Sequence, residues 1–482
     1  MATELKKKYG LLTAICMVVG IVVGSGVFFK AEAILKVTGG NLKLGILAWI
    51  IGGIIMIICA YTFSIMATKY EKVNGVVDYA EAAVGEKYAY LVGWFLTTIY
   101  YPTLTMALAW LSAQFTLIVF NQPEPATSAL TFALAGFYLI GSYALNALSP
   151  VIAGKFQVST TFIKLIPLSL MAIIGTIYGL TNENGCTVEN FANAVSPDVL
   201  TKLGIETPAS SLAAILSAVC ATVFAYEGWI IATSINAEIK DAKKNLPRAL
   251  VIGSFIIVAI YVFYYVGLAG AIPNAEMMAG GQEGAKTAFA TVFGKFMGTG
   301  IFVFVIISCL GTLNGLMLGC TRGLYSVSSR GRGPAPHIFA AVDKNTNMPG
   351  NSSIFGLLLC SAWLLFFYFV LTGGRENGHI LGSFAFDPTE IPIVTIYPFY
   401  IPIFFKMMLD KNFNGFNRFV APLLAVAGST FMVFAAIRAH GPTIPGYLLI
   451  FAIVMLIGVA FMKKKNLSEG NEQTELGWSN QQ

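Results

Sequence analysis

The chain has 482 residues, of which 56% are hydrophobic and only 11% charged, with a mean hydropathy of +0.73. This balance excludes a soluble globular protein of this size and defines an all-α polytopic membrane protein. The net charge of +6 does not point to nucleic acid, because the basic residues lie between apolar spans rather than on one aromatic-interleaved face; they read as topology signals.

The first apolar segment follows Lys6, Lys7 and Lys8. It is too long for a signal peptide and has no small-residue cleavage site before the next span, so it is expected to stay in the mature protein. Its middle reads Ile21-Val22-Val23-Gly24-Ser25-Gly26-Val27-Phe28. Each glycine weakens a helix interior by roughly 1 kcal/mol relative to alanine, and in lipid every released backbone group needs a protein, water or ligand partner. A break here implies a cavity. Amides of Ser25, Gly26 and Val27 at the start of a second half-helix suit a carboxylate, and carbonyls near Val22 suit an ammonium. The plainer alternative is that Gly20 and Gly24, four apart, only allow two helices to pack closely.

Apolar runs of about twenty residues then give about twelve spans: Tyr9 to Lys36 (broken), Leu42 to Ala67, Tyr88 to Phe120, Ser128 to Leu148, Gln157 to Leu180, Ser210 to Asn236 (broken), Ala249 to Ala271, Thr287 to Tyr325, Ser353 to Leu371, Ile391 to Phe405, Phe419 to Ile437 and Gly446 to Met462. With the N-terminus inside, most Lys and Arg fall on the face of Lys6 to Lys8, including Lys69, Lys72, the Lys240 to Arg248 run, Arg322, Arg330, Arg332 and Lys463 to Lys465. Both termini are therefore expected on the cytoplasmic side. Asn182 to Thr207 reads as the longest outer loop, Ser328 to Gly350 as a basic inner loop, and 466–482 as a polar, disordered cytoplasmic tail. Of seven cysteines only Cys186 lies in a polar loop, so no disulfide framework and no metal site are expected, nor a cofactor.

Spans one to five and six to ten read as two halves, each opening with an interrupted helix. Five spans per half invert the second relative to the first, the layout of transporters with a site between the two broken helices near the midplane. The expected organisation is a transmembrane domain over 1–465, with a first repeat over 10–181, an inverted repeat over 210–406 and accessory helices over 418–463. The second break falls in Phe224-Ala225-Tyr226-Glu227-Gly228-Trp229. A carboxylate at bilayer depth faces a bundle interior or aqueous cavity, where it binds, relays protons or pairs with another helix. Phe224, Tyr226 and Trp229 either cover a substrate or simply pack. Lys164 is the other ion inside an apolar span; it either snorkels to the near interface, about 10 Å away, or stands as a fixed ammonium beside the first and eighth helices.

Gly24-Ser25-Gly26 with Val27-Phe28, Phe224-Ala225-Tyr226 with Gly228-Trp229, Glu238-Ile239-Lys240 through Asn245-Leu246-Pro247-Arg248, and Leu313-Asn314-Gly315 through Arg322 together resemble the amino acid–polyamine–organocation (APC) superfamily, and within it the bacterial relatives of the L-type amino acid transporters. The resemblance implies a LeuT-type 5+5 inverted repeat with helices 1 and 6 unwound at mid-membrane. It implies substrate carboxylate at the Gly24 to Val27 amides, amine at carbonyls matching Val22, Phe224 and Glu227, and Phe224 as an outer gate. It places Lys164 where sodium binds in sodium-coupled relatives. Glu227 departs from the glycine or aspartate of that branch, so side-chain specificity does not carry over. Asn121 to Thr127 lacks the cysteine of heavy-subunit-linked members, so no disulfide-linked heavy subunit is expected.

The expected function is sodium-independent exchange of amino acids across the cell membrane by a multi-pass protein, with a small-molecule substrate and the lipid bilayer as partners. The alternative is a proton-coupled or uniport permease for cationic amino acids or polyamines, with Glu227 meeting the extra amine. An intramembrane enzyme fares badly, because His337, His379 and His440 lie in loops or at span ends and no metal-ligand spacing or nucleophile elbow is present.

Overall fold

A computed structural model describes residues 7–24, 26–70, 74–375 and 378–463. Ser25, Lys6, Lys72, Lys464, Lys465 and the tail over 466–482, all of which carry expectations above, lie outside the described residues. The helices, in chain order, are α1 (Leu11–Val22), α2 (Gly26–Val37), α3 (Leu42–Ala67), α4 (Gly75–Ala83), α5 (Glu86–Phe95), α6 (Tyr101–Val119), α7 (Ala129–Leu148), α8 (Pro150–Leu170), α9 (Thr176–Thr181), α10 (Thr187–Ala192), α11 (Pro197–Lys202), α12 (Ser211–Tyr226), α13 (Ala242–Ala271), α14 (Asn274–Gly280), α15 (Gly284–Phe293), α16 (Lys295–Ser328), α17 (Pro336–Phe339), α18 (Gly350–Thr372), α19 (Ile393–Leu409), α20 (Ala421–His440) and α21 (Ile444–Ala460). Among the described residues nine helical stretches are long and apolar enough to cross a membrane, and α1 and α19 are shorter apolar helices.

Local chemistry sets several boundaries. Asn41 and Ser128 cap α3 and α7 by accepting from the Leu44 and Thr131 amides. A five-residue π-helical turn, Leu96–Tyr100, joins α5 to α6; the extra residue shifts the register of the third span and brings Tyr100 to the molecule's centre. Two expectations are corrected, for the eighth apolar run and for the loop over 182–207. Thr287 to Tyr325 is not one span, because Gly294 at φ +87 turns the chain between α15 and α16, a left-handed conformation that suits glycine. The proline-rich tenth span is one helix, α19, with Pro398 and Pro402 inside it; the carbonyl of Phe399, on the turn before Pro402, accepts from the Tyr88 hydroxyl at 2.7 Å. The loop over 182–207 carries α10 and α11.

α1, α2 and α12 lie at the centre, packed among α3, α8, α13 and α16, while apolar side chains such as Ile140, Phe162, Leu424 and Leu456 are exposed on the periphery, where acyl chains replace water. The end of the bundle nearest the N-terminus is tied by polar contacts. The Lys8 and Tyr9 amides donate to the Glu238 carbonyl (2.7 and 3.0 Å), and the Lys240 amide donates to the Tyr9 carbonyl at 2.8 Å. The Glu238 carboxylate, fully buried, pairs with Arg322 and with Lys8 at 3.1 Å. Arg330 pairs with Asp78 and, at 3.0 Å, Glu81, fastening α4 to the end of α16. Removing one partner of such a buried pair typically costs about 3–5 kcal/mol, so this end is strongly closed.

Candidate functional site

The first span stops being helical at Val23, whose ψ of 89° leaves the α region, and resumes at Gly26. The carbonyls released there are collected by side chains from two other spans. Lys164, fully buried on α8, donates through Nζ to Val23 O (2.6 Å), Gly20 O (2.8 Å), Thr312 Oγ1 (3.0 Å) and Ser308 O (3.2 Å). Thr312 Oγ1 lies 2.9 Å from Val23 O and 3.0 Å from Gly20 O, and Ser308 Oγ lies 3.2 Å from Val23 O and 3.3 Å from Gly24 O. The snorkelling alternative does not hold for Lys164: its ammonium faces inward to the break.

The second span of interest leaves the helix at Glu227. Gly228 takes φ +98, a conformation that costs other residues roughly 1–2 kcal/mol, and a 3-10 helix, Trp229–Glu238, follows. The Glu227 carboxylate accepts hydrogen bonds from Tyr100 on the third span and, at 3.0 Å, from Tyr397 on α19. Among the described residues no Lys or Arg pairs with it. The two breaks touch. A Cβ on Gly26 would sit 2.8 Å from Ala225 Cα, so only glycine permits this approach. The Tyr261 hydroxyl stands between them, 3.0 Å from Ala225 O and 3.2 Å from Val22 O.

Between the breaks lies a cavity of about 20 Å³ lined by Val22, Gly24, Gly26, Phe224, Glu227 and Gly228 together with Leu104, Leu108, Thr312 and Leu316. It has room for about one water molecule. Gly26 and Phe224 also line a second cavity of about 370 Å³, together with Lys30, Asp387 and Glu390. Gly26 and Phe224 thus stand at the boundary of the two. Lys30 pairs with Glu390 at 2.7 Å and lies 5.6 Å from the centre of the Phe224 ring.

Of the residues singled out from the sequence, Val22, Gly24, Gly26, Phe224, Glu227 and Gly228 meet at the small cavity, and Lys164 stands directly behind it. Val27, Ala225 and Tyr226 do not line it: the Tyr226 hydroxyl donates to Trp49 O at 2.9 Å and its ring stacks on Tyr261. Trp229 lies among Phe63 and Tyr400. For these two aromatics packing, not substrate cover, is what the structure shows. Sequence reading missed Tyr100, Tyr261, Ser308, Thr312 and Tyr397. Only Ser308 and Thr312 carried a signal, two hydroxyls four residues apart on one helix face.

Two interrupted spans packed against each other at the centre of a multi-pass bundle define a membrane transporter of the LeuT-type fold. The crystal structure of MhsT in complex with L-phenylalanine is similar in fold, with a TM-score of 0.55 at 15% identity over 94% of this chain and 99% of that one. The family model described as amino acid permease matches residues 9–462. The chain belongs to that family; it is a multi-pass amino acid transporter and not an enzyme. Among its relatives, the serine/threonine exchanger SteT of Bacillus subtilis (strain 168) is 28% identical over 443 residues, 89% of this chain and 91% of SteT. The human large neutral amino acids transporter small subunit 2 is 27% identical over 72% of this chain and 62% of its own length, and the human cystine/glutamate transporter is 25% identical over 72% and 66%.

Proposed function

We propose that this chain is a sodium-independent amino acid exchanger of the cell membrane, with both termini cytoplasmic, working by alternating access as a single subunit. The observation that carries the reading is Lys164. Gly20 O, Val23 O, Ser308 O and Thr312 Oγ1 lie 2.6–3.2 Å from its Nζ, and such a cup of carbonyl and hydroxyl oxygens at a broken helix is the kind that coordinates a coupling cation in transporters. Here a covalently attached ammonium fills it, so the joint is set without a dissociable ion. The substrate carboxylate is assigned to the amides at Gly24 to Val27 and its amine to the carbonyls of Val22, Phe224 and Glu227; of these, Val22, Gly24, Gly26, Phe224 and Glu227 line the small cavity. That the Phe224 ring, beside Gly26, lines both the small and the large cavity supports its role as the gate.

A second reading, transport of substrates bearing an additional amine, is favoured by one feature: Glu227 brings a carboxylate to the cavity with phenol hydroxyls as partners and, among the described residues, no cation. The test of the main reading is counterflow in proteoliposomes with a panel of neutral amino acids, cationic amino acids and polyamines. Vesicles preloaded with substrate are expected to accumulate label much faster than empty ones. Equal rates would establish uniport or proton symport instead, and preference for polyamines would establish the second reading.

A further inference from the structure

Beyond Gly228 the sixth span is wound as a continuous 3-10 helix of ten residues, Trp229–Glu238. Such helices seldom exceed three or four residues, because their hydrogen bonds are poorly aligned and side chains three apart eclipse; the other 3-10 turns among the described residues have three each. The segment is also interior, with every residue from Trp229 to Asn236 at most 2% exposed. Two of its polar side chains do not suit that setting. Ser234 Oγ and both amide atoms of Asn236 are buried without a hydrogen-bond partner, and each such group calls for an explanation. An extended winding with unmatched polar atoms is not what this sequence would adopt free of restraint.

The restraint is visible at the far end. Glu238, the last residue of the segment, accepts the Lys8 and Tyr9 amides on its carbonyl and pairs with Arg322 and Lys8 through its carboxylate. The next residues are held too, since the Lys240 amide donates to Tyr9 O. At the near end the segment starts from Gly228, where a Cβ would sit 3.0 Å from Ile21 Cγ2, against the first break.

We propose that Trp229–Glu238 is a spring held extended by the N-terminal strap, and that release of the strap lets it rewind as α-helix, turning Asn236 into the route between the site and the N-terminal side. The inference rests on the alternating-access reading above. A 3-10 helix rises about 2.0 Å and turns about 120° per residue against about 1.5 Å and 100° for an α-helix, so rewinding ten residues shortens the segment by about 5 Å and rotates Asn236, seven residues past Trp229, by about 140°. Opening of the strap is thereby transmitted along the span to Gly228, which sits against the binding residues. Asn236 exchanges a partnerless position for an aqueous one.

The experiment uses the full chain in nanodiscs with non-cysteine spin labels at Leu212 and Lys240, both exposed and flanking the segment. Distances are measured with the strap intact and with Lys8→Ala; Glu238→Gln serves as an independent release. A second population shorter by about 5 Å, enriched by either variant, is expected. One unshifted distance in all three proteins overturns the proposal. Single cysteines are then placed at Ile230, Ala232, Thr233 and Asn236 in a Cys186→Ser background, the remaining native cysteines being buried, and a water-soluble maleimide is applied to the Lys8→Ala protein. Reaction at 232, 233 and 236 follows α-helical spacing and supports rewinding. Reaction at 230, 233 and 236 follows 3-10 spacing, shows motion without rewinding, and overturns it. Neither readout needs transport, so an unshifted segment in a protein that exchanges normally sinks this inference alone, whereas a rewinding segment in a protein that transports nothing sinks the functional reading.

Discussion

At the first interruption the freed carbonyls of Gly20 and Val23 meet an ammonium and two hydroxyls contributed by α8 and α16; at the second, a glycine turn sets a carboxylate between two phenols. The first joint is complete in itself: a cation sits on the negative ends of its dipoles. The second is not, because hydrogen bonds from tyrosine lower the cost of a buried carboxylate without cancelling its charge. The contrast separates a permanent structural joint from a position able to respond to what the substrate carries.

The largest effect is expected at the complete joint. Lys164→Ala deletes a buried ammonium that donates to three carbonyls and a hydroxyl, and leaving buried acceptors short of a donor costs roughly 1–3 kcal/mol each. Exchange should fall by roughly 100-fold or more while the purified protein still elutes as a single monodisperse species. Lys164→Met, which keeps the stem, should be just as inactive. Near-normal exchange by either variant would mean the ammonium is dispensable to the joint.

Next in size is contact between the joints. In Gly26→Ala the new methyl would lie 2.8 Å from Ala225 Cα and 2.9 Å from its Cβ, against an optimum of about 3.5–4.0 Å between carbons. Neither neighbour is the end of a flexible side chain, so the breaks must part by up to about 1 Å, a displacement that costs on the order of 100-fold in a preorganised site. Apparent substrate affinity, measured by binding to the purified protein, is the readout. Gly141→Ala, where nothing lies within 4 Å of the added methyl, is the control expected to leave affinity unchanged.

How much of this was legible follows the same division. Both interruptions stand out in the sequence because Gly24-Ser25-Gly26 and Glu227-Gly228 break otherwise uniform apolar runs, and Lys164 stands out as a charge. Apart from Lys164 and the faint signal of two hydroxyls four apart, what holds each break was not legible. Ser308 and Thr312 lie more than 140 residues from Lys164, and hydroxyls inside an apolar helix ordinarily satisfy themselves on the preceding turn. Tyr100 and Tyr397 carry no charge, and the π-helical turn that aims Tyr100 leaves no trace in the hydropathy pattern. Tyr226 and Trp229 flank the break in sequence but point away from it, since spacing alone does not say which face of a distorted span meets the cavity. Gly294 divides the eighth apolar run because a positive φ, not a loss of hydrophobicity, ends α15.

A smaller, selective effect is expected at the incomplete joint. Glu227→Gln keeps the size and one acceptor oxygen but removes the charge. If the carboxylate reads an additional amine, competition by cationic amino acids should weaken by about tenfold, equivalent to about 1.4 kcal/mol, while neutral substrates change little. An unchanged substrate ranking with lower expression would reduce Glu227 to a packing partner of Tyr100 and Tyr397.

The smallest expected effect is none, and it bears on the first joint again. A sodium ion placed among Gly20 O, Val23 O, Ser308 and Thr312 would stand within about 4 Å of the Lys164 ammonium, where two like unit charges repel by roughly 4 kcal/mol at an effective dielectric of 20. That is nearly a thousandfold in affinity, before counting the oxygens that the ammonium already occupies. Exchange into proteoliposomes should therefore proceed at one rate in sodium, potassium or choline chloride, and an inward sodium gradient should add no accumulation. Sodium-driven accumulation by the unmodified protein would mean that the ion binds elsewhere or that Lys164 leaves the cup during the cycle. Sodium dependence appearing only in Lys164→Ala would instead show the oxygens to be a cation site that the lysine fills, giving the strongest form of the distinction between the two interruptions.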